Sequence, residues 1–434
     1  MIRKLTAVMA VSALAVAAAN FAHAEDAAEA APVAELVKAI DIPYDEFKLD
    51  NGLRVVVHED RKAPVVAISV WYRVGSKHEP AGKTGFAHLF EHLMFNGSEN
   101  APGDFFGPLQ QVGATDSNGT TNTDRTNYFE TVPTGALDRA LFLESDRMGH
   151  LLGAVTQEKL DNQRGVVQNE KRRGDNRPYG LLRYEIFENL FPKGHPYHHS
   201  TIGSMADLKA ANLDDVKKWF TDNYAPNNAV LVLAGDIDLA TAKTKVQHWF
   251  GDIPSGPAVK SVKVEVPTLA APVSKTIKDL VSTTRIYRMW AMPGVTDPES
   301  IPMQMSAAVL GGLSSSRLDN ALVRNDPVAV SVAAFAQSLE EGGFFIIQAD
   351  VKPGVDVAVL NKRLDEEISK YITSGPTADE LRRATTSFLS RGIGGLESVG
   401  GFGGKAVALA EGTLYANNPG YYKVELERLA SASP

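Results

Sequence analysis

The chain has 434 residues, 44% of them hydrophobic, with 52 acidic against 44 basic side chains and no cysteine. That size and apolar content can supply two domains with buried cores. The acidic balance argues against nucleic acid or anionic lipid as partner, and without cysteine there is no disulfide framework, so stability must come from packing.

Residues 1–24 read as a signal peptide. Arg3 and Lys4 precede an apolar stretch, Leu5 to Ala19, too short and alanine-rich for a membrane span, and Ala22-His23-Ala24 gives the small-x-small pattern before Glu25. Cleavage after Ala24 sends the chain to the periplasm or outside the cell and shifts its net charge from −8 to about −10. No later run is long and apolar enough to span a bilayer. Residues 25–41, rich in Ala and Glu, are expected to form a flexible leader.

The first domain is placed at 42–252. Phe47 to Leu49 and Leu53 to Val57 flank Asn51-Gly52, a hairpin signal, and Val65 to Val74 alternates like a further strand. Phe86 to Phe95 changes to helical spacing. Tyr128 to Val132 reads as a strand, Ala136 to Leu152 and Gln157 to Arg173 as helices, Leu213 to Phe220 as a helix and Ala229 to Gly235 as a strand. A proline-marked stretch, 253–275, reads as a linker. After it the signals partly repeat: a strand ending at Trp290, a helix from Ser300 to Leu310, a Gly-Ser-rich turn and a strand from Phe344 to Val351. The expected fold is therefore α+β, with two homologous sandwich-like units, each a mainly antiparallel sheet packed with helices. The second unit, 276–434, has no histidine and reads as non-catalytic. Leu429 to Pro434 resembles a helix start after which the repeat lacks a helix and a strand; either the unit ends early or the sequence is a fragment, and the repeat favours a fragment.

The chemistry concentrates in His88-Leu89-Phe90-Glu91-His92. Residues four apart share one helical face, which suits two imidazoles on one ion, and Glu91 falls on the same side, placed to take a proton from a metal-activated water. The surrounding Phe86, Leu89, Phe90, Leu93, Met94 and Phe95 imply burial, where unpaired His and Glu would be costly; a satisfied polar cluster without metal is the bland alternative. A catalytic zinc needs a third protein ligand. Glu170 ends an inward stripe of Leu160, Gln163 and Val167, but spacing alone leaves Glu130, Glu144 and Glu158 open.

His88-x-x-Glu91-His92, followed at long range by Arg164-Gly-Val-Val-Gln-Asn-Glu170, resembles the pitrilysin/insulinase family of inverted zinc peptidases, bacterial periplasmic type. Val74-Gly75-Ser76, Gly85-Phe86-Ala87, Thr126-Asn127-Tyr128, Tyr224-Ala-Pro-Asn-Asn, Gly235-Asp236 and the run from Gly311 to Leu318 agree with it. The resemblance implies one Zn2+ held by His88, His92 and Glu170, with Glu91 as general base of a metalloendopeptidase acting on unstructured peptides. It implies that Asp116 to Thr121 is an edge strand on which substrate adds, with Asn118 and Gly119 matching best. It further implies a second homologous half or subunit that closes the site with an Arg and a Tyr, for which no matching pair is found here. Gln163 departs from the family, which often has a glutamate there; an amide cannot supply negative charge beside the metal. The competing expectation is a non-catalytic, zinc-containing core or scaffold subunit of a two-part assembly.

Three other features are discounted. His195, His198 and His199 follow a turn and are expected to be structural. Gly400-Gly401-Phe402-Gly403-Gly404-Lys405 lacks the Ser or Thr and the spacing of a phosphate loop. Lys171-Arg172-Arg173 is expected to be a solvated helix end.

Overall fold

The computed structural model describes residues 33–258 and 261–433; the signal peptide lies outside them. Six strands form the first sheet: β1 (Asp45–Lys48), β2 (Arg54–Glu59), β3 (Val65–Tyr72), β4 (Thr115–Thr121), β5 (Thr126–Pro133) and β6 (Ala229–Gly235), in the order β1-β2-β6-β3-β5-β4. All neighbours are antiparallel except β2 and β6. The expected Asn51-Gly52 turn joins β1 to β2, with Gly52 at φ +96°. The second sheet, β7 (Arg285–Met292), β8 (Ala329–Ser338) and β9 (Gly343–Val351), runs β7-β9-β8 and is antiparallel. The described residues between Phe250 and Arg285 form neither helix nor strand.

The helices follow from amphipathic spacing. The first unit carries α1 (Val33–Ala39), α2 (Phe86–Leu93), α3 (Phe106–Gln111), α4 (Leu137–Gly149), α5 (Gln157–Asp175), α6 (Leu182–Leu190), α7 (Met205–Ala210), α8 (Leu213–Asn223) and α9 (Leu239–Phe250). The second carries α10 (Ser300–Ala307), α11 (Arg317–Asp319), α12 (Val357–Ser374), α13 (Ala378–Gly395), α14 (Lys405–Ala416) and α15 (Tyr421–Ala430). None among the described residues is long and apolar enough to cross a membrane.

Strands β2, β3 and β6 are apolar on both faces because both faces are covered. Val55, Val57, Val66, Ile68, Leu231 and Leu233 pack with residues of α2, α4, α8 and α9. The opposite face, including Val56, Trp71, Val230 and Val232, packs with residues of α10, α13, α14 and α15, so helices of the second unit complete the first unit's core. Two expectations are corrected here. Residues 33–39 are a helix, not flexible leader, and Val37 joins this second core. Leu429 and Ala430 close α15 instead of starting a helix; α15 is anchored where Ile42 N donates to Tyr422 Oη at 2.7 Å. Strand β8 was not anticipated, because its alanine-rich sequence has only a weak alternation.

A buried ion network also ties the units together. Lys77 Nζ lies 2.5 Å from Glu340 Oε2 and 3.1 Å from Asp124 Oδ1, and Arg73 reaches Glu340 Oε1 at 3.0 Å. Tyr197 Oη donates to Asp124, while Glu340 N and Glu341 N donate to Asp124 Oδ2 and Tyr197 Oη. Removing one partner from such a pair strands buried charge. Glu340→Ala is therefore expected to lower stability by about 3 kcal/mol, read as a shift in the urea unfolding midpoint.

Candidate metal centre

Helix α2 is built so that its sequence faces two ways. Phe86, Leu89, Phe90 and Leu93 are buried in the first core, which turns His88 and His92 together toward α5. Their ring centroids lie 4.9 Å apart. From α5, Leu160 and Val167 are fully buried, and the same stripe carries Glu170 across to the histidines. Glu170 Oε2 is 3.6 Å from His88 Nε2, and its Oε1 is 3.5 Å from His92 Nε2. Of the described residues, these three alone bring His, Cys, Asp or Glu ligand atoms together as a possible metal site, all within 4.8 Å of one another.

The spacing fits zinc. Ligand atoms about 2.0–2.1 Å from a tetrahedral ion stand roughly 3.3 Å apart, close to the two separations seen. The donor set, two imidazole nitrogens and a carboxylate, is that of a catalytic site with an open position. Burial, with the charges of His92 and Arg183 adding to it, lowers the pKa of His88 to about 4, keeping the imidazole in the neutral form a metal requires.

Glu91, on the same helix, is mostly enclosed, and its Oε2 is buried without a hydrogen-bond partner. Burial raises its pKa, with Thr121, His92 and Arg125 pulling the other way. The alternative third ligands lie elsewhere. Glu130 and Glu144 are in the core with Arg147, which Glu144 binds directly, and burial together with the charge of Glu144 raises the Glu130 pKa strongly. Glu158 is exposed in the first turn of α5.

Gln163 bonds toward the end of α2. Its Nε2 donates to Asn96 Oδ1 at 3.2 Å, and Asn96 Nδ2 donates to the His92 carbonyl at 2.7 Å, so the amide braces the end of α2 through Asn96. Strand β4 is the sheet edge expected for it. Asn118 pairs with Phe129 and Gly119 with Tyr128. A Cβ on Gly119 would stand 2.7 Å from the Phe95 ring, so glycine lets the edge lie against the chain leaving α2. Asn118 Oδ1 accepts from Gly119 N at 2.8 Å.

The discounted histidines are structural, as expected: His195 Nδ1 accepts from Tyr197 N, His198 Nδ1 contacts the Phe191 carbonyl, and His199 pairs with Glu79. Lys405 pairs with Asp60. Lys171 corrects an expectation, since it is buried against Tyr184 and Asp175; only Arg172 and Arg173 are solvated.

The profile described as "Insulinase (Peptidase family M16)" matches residues 54–200, and "Peptidase M16 inactive domain" matches 210–388. The chain belongs to the pitrilysin/insulinase family. Among its pitrilysin/insulinase relatives, zinc protease PqqE of Helicobacter pylori is 28% identical over 365 residues, covering 82% of this chain and 80% of that one. The zinc protease YmxG of Bacillus subtilis, described as uncharacterized, is 24% identical over 342 residues, covering 78% and 81%. The crystal structure of a protease from Helicobacter pylori superposes with a TM-score of 0.81 at 26% identity, covering 90% of this chain and 94% of that one. The fold also recurs inside a longer protein, the periplasmic protease PqqL of Escherichia coli, with a TM-score of 0.69 at 20% identity, covering 90% of this chain but 44% of that one.

His78 resembles His88 in being pushed to about 4, in its case by burial and then by Lys77. Both lie below the unfolded value of 6.5, so the unfolded chain takes up protons first on acidification. The metal-free protein is expected to lose stability as the pH falls from 6.5 to about 4, and a His78→Gln, His88→Gln double variant to show a shallower loss, followed by urea unfolding in chelator.

Proposed function

We propose that this chain is a zinc-dependent endopeptidase that hydrolyses unstructured peptides, with His88, His92 and Glu170 holding the ion and Glu91 acting as general base. The carrying observation is the convergence of two imidazoles from α2 and one carboxylate from α5 at tetrahedral spacing. The names of the relatives, zinc proteases, support the same reading.

A zinc ion held there by His88, His92 and Glu170 would supply Lewis acidity, lowering the pKa of an attacking water and polarising the scissile carbonyl. Glu91 accepts a proton from that water at its carboxylate and hands it to the departing amine. Its buried Oε2 has no hydrogen-bond partner among the described residues. A buried carboxylate oxygen left free of structural bonds beside the ion position is what a base requires and what a scaffold subunit has no use for. Strand β4 offers its free edge to an extended peptide, whose main chain pairs there beside Asn118 and Gly119. Such pairing reads little of the side chains and favours segments already unfolded.

The partner is a second homologous half or subunit closing the site and supplying groups for the developing oxyanion. The occurrence of this fold as about half of PqqL supports that arrangement. The signal peptide read at 1–24 and the periplasmic description of PqqL support an exported location.

Glu91→Gln is expected to keep one zinc per chain and lose at least about a thousandfold in cleavage of a quenched flexible peptide. Turnover at the parental rate sinks the peptidase mechanism. Glu170→Gln is expected to lose zinc as well as turnover, by metal analysis after dialysis.

A further inference from the structure

Helix α2 begins awkwardly. Its N-cap residue is Gly85, at φ +92°, with no side chain to accept from the first turn. Only glycine fits, because a Cβ would stand 2.9 Å from the Ile202 carbonyl and 3.0 Å from Leu208. The free amides of a helix start still need acceptors. Glu79, six residues earlier, folds back to supply them: Oε2 accepts from Gly85 N at 2.9 Å and Oε1 from Ala87 N at 2.8 Å. Its side chain is fully buried. His199 Nε2 lies 2.9 Å from the same Oε2 and 3.0 Å from the Ser76 carbonyl, holding the carboxylate from behind. A second carboxylate, Asp207, accepts from Thr84 N at 2.9 Å, and Ser204 N donates to Thr84 Oγ1 at 3.0 Å.

We infer that Glu79, held by His199, is a positioning residue for the metal centre, fixing the start of α2 so that His88 and His92 meet Glu170 at bonding distance. The inference rests on the proposed zinc reading. Ala87, whose amide Glu79 grips, is the residue directly before His88. The apolar face of α2 buries the helix but tolerates small axial slips, whereas a three-ligand site tolerates about 0.5 Å. A buried, charge-assisted pair of hydrogen bonds at the first turn removes that slack. Glutamine in its place keeps the shape but turns an NH2 group toward one of the two amides, so one acceptor and the charge facing His199 are lost.

The test uses the chain from Glu25 and reads zinc affinity by chelator competition and the visible spectrum of the Co2+-substituted protein, with circular dichroism of the metal-free form as the folding control. Glu79→Gln is expected to weaken zinc about 10- to 100-fold and alter the cobalt spectrum while leaving the circular dichroism unchanged. Glu79→Asp keeps the charge but is one methylene too short and is expected to behave like Glu79→Gln. Parental affinity and spectrum in Glu79→Gln, or full rescue by Glu79→Asp, overturns the inference. Should Glu79→Gln fail to fold, His199→Gln gives the same reading: a smaller loss of affinity and an altered spectrum support it, and parental values overturn it. A parent chain that binds no zinc sinks the metal reading and this inference with it, whereas a zinc-binding parent with indifferent variants sinks only the inference.

Discussion

Two imidazoles four residues apart meet by helical geometry alone, but the carboxylate that joins them has to be carried in on another helix and stopped within 3.6 Å of both. That convergence depends on how α2 and α5 are seated against each other and against the sheet. Each helix spends its apolar face on the first core, through Phe86, Leu89, Phe90 and Leu93 on one side and Leu160 and Val167 on the other. His88 and His92 on α2 and Glu170 on α5 are left to face one another.

The rest of the structure fixes this seating with buried polar contacts at points where apolar packing would leave freedom. Glu79 and Asp207 hold the start of α2, and Asn96 with Gln163 braces its end. Lys77, Asp124, Glu340 and Tyr197 tie the turn between β4 and β5 to the second unit, and with it the edge strand beside the histidines. The second unit therefore contributes to the site by bracing it: its helices cover one face of the first sheet, and its β8–β9 turn holds the loop next to the edge.

The strands with strong patterns were legible from the chain. Ala229–Gly235 appears with the expected bounds, and β2, β3, β5 and β9 lie within a few residues of theirs, because long apolar runs and a Gly-marked hairpin are local signals. Strand β8 was missed because alanines blur its alternation, and the helix at Val33–Ala39 because the burial of its Val37 depends on a surface assembled from the far end of the chain. Lys171 looked like part of a charged helix end and is instead enclosed by Asp175, one turn further along α5, and by Tyr184, which only the turn into α6 brings near.

For the site, the sequence by itself determined His88, Glu91 and His92 as a unit, since the period of a helix places them together wherever that helix goes. It offered Glu170 as one carboxylate among four, and only the resemblance to a family singled it out. The tertiary structure separates them, because distance across two helices is not encoded by spacing along either: Glu144 went to a core arginine with Glu130 buried beside the pair, Glu158 to solvent, and Glu170 to the histidines. It also decided what Glu79 and His199 do, a pairing between a loop and a distant turn that no local pattern could announce, because its physical cause is the unmet hydrogen bonding of a helix that starts on a glycine.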